Sequence, residues 1–212
     1  MTRRALFHIA LAALALSLAA AVPSLAAEPR GDRDRDAWQQ PDRVVADLGL
    51  ADGAVVADVG CGSGYFTFRL AKAVGLTGKV YAEDIAEKAL AALKARVDRE
   101  GVTNVEVVKG EATSTHLPEA AMDAAVIVDV IHHVPKEQRP GLMADVVRAV
   151  KPGGFVYLVD WRADAKIKHD LDRRIPRDDL LETMTGAGLV LDAEYHYLEH
   201  QVFFRFRKPA KP

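Results

Sequence analysis

The chain has 212 residues, 50% apolar and 27% charged, which gives room for one α/β domain with a short appendage and is an ordinary globular composition. A formal net charge of −2, with few aromatic residues, excludes a basic footprint for nucleic acid or anionic membrane. The single cysteine, Cys61, excludes an internal disulfide and a cysteine-based zinc cluster.

Arg3 and Arg4 precede an apolar run from Ala5 to Val22, then Pro23 and Ser24-Leu25-Ala26. Residues 1–26 therefore read as a signal peptide cut after Ala26. Left uncleaved, the run approaches the roughly 20 residues of a membrane anchor. Thr2-Arg3-Arg4-Ala5-Leu6-Phe7 also resembles the twin-arginine pattern, although two arginines are equally the charge that any n-region carries. The expectation is export to the periplasm by the Sec or twin-arginine route, with no stable membrane insertion after cleavage. Residues 27–37, charged and apolar-poor, read as a flexible linker, and the folded domain is expected over 38–212.

From Trp38 onward, apolar strands alternate with amphipathic helices, the pattern of a parallel α/β sheet. Val44, Val45, Leu48 and Leu50 predict a short helix over 41–50. Ala54–Asp58 is a continuous β-rich run, expected of a strand buried on both faces. A helix follows at about 65–74, a strand at 79–83, and a strong helix over 86–100 stopped by Gly101. Strands are expected at 104–109 and 123–129 and a helix around 137–150. Lys151-Pro152-Gly153-Gly154 then turns the chain into strand 155–160. A helix over about 176–187 leads to strands 189–197 and 201–207, whose short connection requires an antiparallel hairpin.

Asp58-Val59-Gly60-Cys61-Gly62-Ser63-Gly64 lies where a buried strand passes into a helix, and glycines there let backbone approach a ligand without Cβ clashes. Asp84 ends the next strand, 20 residues after Gly64, placed to accept hydrogen bonds from both hydroxyls of a ribose. A dinucleotide site needs G-x-G-x-x-G; here the spacing is G-x-G-x-G and Tyr65 holds the place of the third glycine, which weakens a nicotinamide oxidoreductase. No Lys-Ser or Lys-Thr follows, so the loop is no phosphate-cradling P-loop. Asp58 would repel a pyrophosphate, yet suits an ammonium such as that of methionine.

With these residues the chain resembles the class I S-adenosylmethionine-dependent methyltransferase family, from about Trp38 to the C-terminus. Val56–Phe66 looks like its first motif and Val80–Ile85 its second. Lys109-Gly110-Glu111-Ala112, with Leu117-Pro118, resembles the segment after the third strand, whose acid contacts the adenine amino group; Glu111 is one methylene longer than the usual Asp. Met122–Val126 through Asp129 and His132-His133-Val134 looks like the fourth strand and its exit loop, and Lys151–Gly154 like the turn before the fifth. The resemblance implies a Rossmann-like, seven-stranded, mostly parallel sheet with helices on both faces and a C-terminal antiparallel hairpin. It implies S-adenosylmethionine as cofactor, held by Asp58, Gly60, Cys61, Gly62, Ser63, Gly64, Asp84, Ile85, Glu111, Ala112 and Asp129. Trp38–Arg43 and Tyr195…His200–Phe204 further resemble a bacterial branch of small, often exported members.

Methyl transfer from a sulfonium is an in-line displacement, so the protein mainly positions a nucleophile and takes its proton where needed. His132 or His133 can serve as that base because an imidazole titrates near neutrality, and His132 is the catalytic candidate. The competing reading is that His-His-Val is only a packed element of the adenosyl loop. No metal is expected, since adjacent histidines lack ligand spacing. The fourth strand lacks an Asn/Asp-Pro-Pro-Tyr tetrad, so a small-molecule or lipid-like acceptor is expected, methylated at oxygen or nitrogen. Trp161, Arg162, His169 and Arg174 are candidates to read an anionic acceptor, against the plainer reading of a solvated loop. His196 and His200 are expected to face solvent and Cys61 to be a small filler. A rival function is a binding protein or sensor that keeps the adenosyl pocket without turnover.

Overall fold

The computed structural model describes residues 30–165 and 171–210. The expected signal peptide and His169 lie outside the described residues. Seven strands form one sheet in the order β3-β2-β1-β4-β5-β7-β6. They are β1 Val55–Val59, β2 Lys79–Asp84, β3 Val105–Lys109, β4 Met122–Val128, β5 Val150–Trp161, β6 Val190–Tyr195 and β7 Gln201–Arg207. β1 to β5 pair in parallel, while β7 runs antiparallel to both β5 and β6. The expected fold class is therefore the observed one.

The central strands are apolar on both sides because both sides are covered. Val56, Val126, Val159 and Phe203 face α2 (Pro41–Asp47) and α3 (Thr67–Ala73). Their neighbours Ala57, Ile127, Leu158 and Phe204 face α5 (Arg139–Ala149) and α6 (Arg177–Gly186). α4 (Glu87–Glu100) covers the β2–β3 end with Leu90, Leu93 and Val97, and its expected stop, Gly101, is the left-handed C-cap at φ 65°.

The chain departs from expectation in two places. The Pro-Gly-Gly segment does not precede the fifth strand but bulges within it: Val150 already pairs with Met122, and pairing resumes at Ala124 with Phe155. Gly153 donates to Lys208 O, and Lys208 donates back to Gly154 O, so β7 secures the bulge. More consequentially, the flexible linker expected over 27–37 is contradicted by its described part, since Arg30–Gln39 form helix α1. This helix has no apolar stripe that periodicity could reveal. It is anchored instead by polar contacts to residues distant in sequence.

The β1–β4 neighbourhood is where the sheet order reverses, and crevices at such points hold ligands in open α/β sheets. The registers Asp58↔Val126 and Val128↔Val159 bring the carboxyl ends of β1, β4 and β5 to a common edge there.

Candidate active site

β1 delivers its chain into the glycine loop at Gly60, whose φ is 71°. A Cβ on Gly60 would lie 2.4 Å from Val130 Cγ2, so only glycine lets this loop pass against the one that leaves β4. Beyond it, Gly62 at φ 56° would meet nothing within 4 Å, and that face of the loop is open. The loop is pinned from β2: Cys61 N–H donates to Glu83 O (2.9 Å), and Gly62 N–H to Asp84 Oδ2 (2.8 Å). Asp84 Oδ1 accepts the Ala86 N–H at 2.7 Å, so one carboxylate braces both the loop and the start of α4. Each oxygen keeps a further lone pair for a ribose hydroxyl.

Two cavities meet along this loop, sharing Gly60, Asp129 and His133. The larger, about 510 Å³, is lined by the glycine loop, Asp58, Tyr65, His132, Trp161 and, from α1, Arg35 and Trp38. The smaller, about 260 Å³, is more apolar, with Ile85, Val130, Val134 and Leu142 beside Asp84, Glu111 and Ala112. Ile85 is 57% exposed, a large apolar side chain laid open at this cavity. Glu111 is also at its rim and largely exposed, with His116 Nε2 3.8 Å away. Cys61 and Ser63 line the larger cavity, and Gly64 completes the turn behind them.

Asp58 is buried at the end of β1 and accepts a 2.6 Å hydrogen bond from Thr67 Oγ1. Burial pushes its pKa up to about 6; Thr67 opposes the rise and the Asp84 charge adds to it. Glu83, buried beneath the loop, is pushed up to about 8 by burial first, against the lowering effect of the Gly60 backbone. Burial also raises the Cys61 thiol strongly, with the neighbouring carboxylates adding to the effect, so it stays protonated.

Asp129 adopts a left-handed conformation, φ 59°, just past β4. Its Oδ2 accepts from Arg35 Nη2 (2.6 Å) and Gln39 Nε2 (3.0 Å), and Gln201 donates to Oδ1. A carboxylate has about four lone-pair sites, so these three donors leave Asp129 little capacity to receive a methionine ammonium. Burial raises its pKa, while Arg35 and Gln39 oppose that rise. Arg35 also stacks over Tyr65 at 4.1 Å, and Tyr65 Oη donates to Asp36 at 2.5 Å. The supposed linker is thus one wall of the cavity.

His132 follows in a 3-10 turn over Ile131–His133 and is 4% exposed. Its Nδ1 lies 2.6 Å from Asp160 Oδ1 at the end of β5. His133, with its ring 4.0 Å from that of His132, accepts at Nδ1 from Arg173 Nη1 (2.8 Å), since a guanidinium can only donate. Of the candidate acceptor-side residues, Trp161 reaches the cavity and packs on Trp38 with ring centroids 5.0 Å apart. Arg162 instead pairs with the exposed Asp164, and Arg174 donates to Ala165 O. His196 is exposed and His200 half-buried. Among the described residues, no three or more His, Cys, Asp or Glu side chains are grouped to hold a metal. No helix among them is long and apolar enough to cross a membrane.

Sequence reasoning missed Asp160, Glu83, Thr67, Arg35 and Trp38 as parts of this site. Asp160 carried a usable signal, an acid at the carboxyl end of a buried strand, as Asp58 and Asp84 are. Arg35 carried none.

The open α/β sheet carries paired cavities at the point where its strand order reverses, and comparison with known proteins finds the same fold among methyltransferases. A crystal structure of a SAM-dependent methyltransferase from Aquifex aeolicus superposes with a TM-score of 0.77 at 23% identity, covering 86% of this chain and all of the other. Residues 56–154 match a methyltransferase domain family. Demethylmenaquinone methyltransferase of Lactococcus lactis subsp. lactis is 27% identical over 128 residues, 60% of this chain and 49% of that protein. Arsenite methyltransferase of Aquipseudomonas alcaligenes is 33% identical over 160 residues, 71% and 44% of the respective chains. The chain spans about half the length of these curated relatives. Over residues 56–154 the chain is thus similar to methyltransferase domains, and its fold is that of a solved SAM-dependent methyltransferase.

Proposed function

We propose that this protein transfers the methyl group of S-adenosylmethionine to an oxygen or nitrogen of a small-molecule acceptor, with His132 as the base. The observation that carries the reading is the wall of the larger cavity, where His132 stands against the buried Asp160 beside the glycine loop. The cofactor suits the residues present: a loop that excludes Cβ at Gly60, a carboxylate at Asp84 braced from two sides, and an exposed Ile85 beside it. Asp58 would hold the cationic amino-acid end, Asp84 the ribose, and Ile85 with Ala112 and Glu111 the adenine. When bound, the cofactor supplies a methyl group already activated by a positive sulfur.

The chain's own residues then have limited tasks. The aromatic wall of Trp38, Trp161 and Tyr65 excludes water and presents flat apolar surface to an acceptor. His132 takes the acceptor's proton. A small acceptor is further supported by the names of two relatives, which specify demethylmenaquinone and arsenite. The formal net charge of −2 argues against a nucleic-acid substrate.

Export through residues 1–26 belongs to the same proposal and is supported by the Arg3-Arg4 n-region and the apolar run behind it. The experiment is transfer of labelled methyl from S-adenosylmethionine into small-molecule extract. The native chain labels a low-molecular-mass product, and His132→Gln lowers the rate by on the order of 100-fold, a usual worth for a positioned base. Cofactor binding without labelling in any extract would favour the sensor instead.

A further inference from the structure

Asp160 lies one position beyond the pairing of Val159 with Val128 and is 1% exposed. Its carboxylate receives two backbone N–H groups and contacts the His132 ring. Oδ1 accepts the Trp161 backbone N–H at 2.7 Å and faces His132 Nδ1 at 2.6 Å, and Oδ2 accepts the His132 backbone N–H at 3.2 Å. Two backbone N–H groups aimed at the carboxylate hold it as an acceptor. The proton in the 2.6 Å contact therefore belongs to Nδ1, which leaves the ring lone pair on Nε2.

We infer that Asp160 is a positioning residue for methyl transfer: it fixes His132 in the tautomer whose basic nitrogen is Nε2 and balances the charge the ring acquires. The inference rests on His132 being the base proposed above, and it narrows the acceptor to one bearing an O–H or N–H whose proton must leave during reaction. In that step Nε2 takes the proton, and the electron pair released on the acceptor atom forms the bond to the methyl carbon. The pair of the breaking carbon–sulfur bond stays with sulfur.

Among the described residues, other charged groups near this ring are engaged by different partners. Asp129, past β4, is engaged by Arg35, Gln39 and Gln201. His133 is held by Arg173, and Asp58, across the cavity, by Thr67. Asp160 is in hydrogen-bond contact with the imidazole. Asn at this position can keep one oxygen toward Nδ1 but has no charge to set against an imidazolium.

The test is nitrogen-15 NMR of the full chain labelled at histidine, with the His132 ring assigned from His132→Gln. The expected native spectrum carries the proton on Nδ1. In Asp160→Asn the His132 titration midpoint falls by about one pH unit or more, as loss of an adjacent opposite charge requires. Methyl-label transfer into extract falls by on the order of tenfold or more, while S-adenosylhomocysteine binds within about twofold of native. A proton on Nε2 in the native ring overturns the inference, and so does an unchanged titration with unchanged transfer in Asp160→Asn. The native tautomer decides the matter if that variant does not fold. Failure of the native chain to bind S-adenosylhomocysteine is a separate result, which refutes the cofactor reading and leaves the tautomer measurement intact.

Discussion

Replacing Asp58 by Asn should make the unliganded protein more stable, and only at pH values where Asp58 is ionised. Asp58 is 2% exposed, and burial raises its pKa from 3.8 to about 6. An acid whose pKa is higher in the folded state binds protons more tightly there, so it destabilises the fold once pH rises above its unfolded value. At 1.36 kcal/mol per unit, a rise of that size costs about 3 kcal/mol when fully expressed. The cost is absent well below pH 3.8, grows between there and pH 6, and is complete above. Asn is close in shape to the protonated acid, and its amide oxygen can still accept the Thr67 hydroxyl. Urea unfolding of the native chain and Asp58→Asn, followed by circular dichroism at several pH values, reads the difference directly. The variant should match the native chain at about pH 3 and exceed it by about 2–3 kcal/mol at pH 8. A pH-independent difference, or a variant that loses ground as pH rises, would refute the assignment of Asp58 as a buried, destabilised acid. The same variant should bind S-adenosylmethionine more weakly at pH 8, because the charge that strains the fold is the one placed to meet the cofactor's ammonium.

Two further substitutions test how the cavity is walled. Arg35→Ala should destabilise the fold by about 2 kcal/mol in the same urea assay, because it strips the half-buried Asp129 of its cation; no change would mean that α1 does not pack as described. Gly60→Ala must place a methyl 2.4 Å from Val130 at φ 71°. It should cost about 2 kcal/mol or more and weaken S-adenosylhomocysteine binding in calorimetry, whereas native-like behaviour in both would contradict the close approach of the two loops.

The sheet was legible in the sequence because strands buried on both faces are continuous apolar runs, and residues 54–57 and 124–128 show that without reference to anything distant. Asp58 and Asp84 were legible for a related reason, as acids that close such runs. Periodicity says nothing, however, about pairs that form only when the chain folds. Arg35 meets Asp129 across 94 residues, and Asp160 meets His132 across 28. The Arg30–Gln39 stretch looked like a solvated linker because its charges have no apolar face to bury; those of Arg35 and Asp36 are satisfied by Asp129, Tyr65 and Arg69. Asp129 was read as a ligand for the cofactor, but its partners on α1 and β7 already take most of its lone pairs.

The loop at Gly60–Gly64 and Asp84 should together bind S-adenosylmethionine. Isothermal titration of S-adenosylmethionine into the full chain and into Asp84→Ala tests it most directly. Saturable one-to-one binding to the native chain is expected. In the variant, affinity should fall by at least about tenfold, since it removes both the ribose acceptor and the brace on Gly62 and Ala86. No binding to the native chain at millimolar ligand, or equal affinity in the variant, would contradict the account.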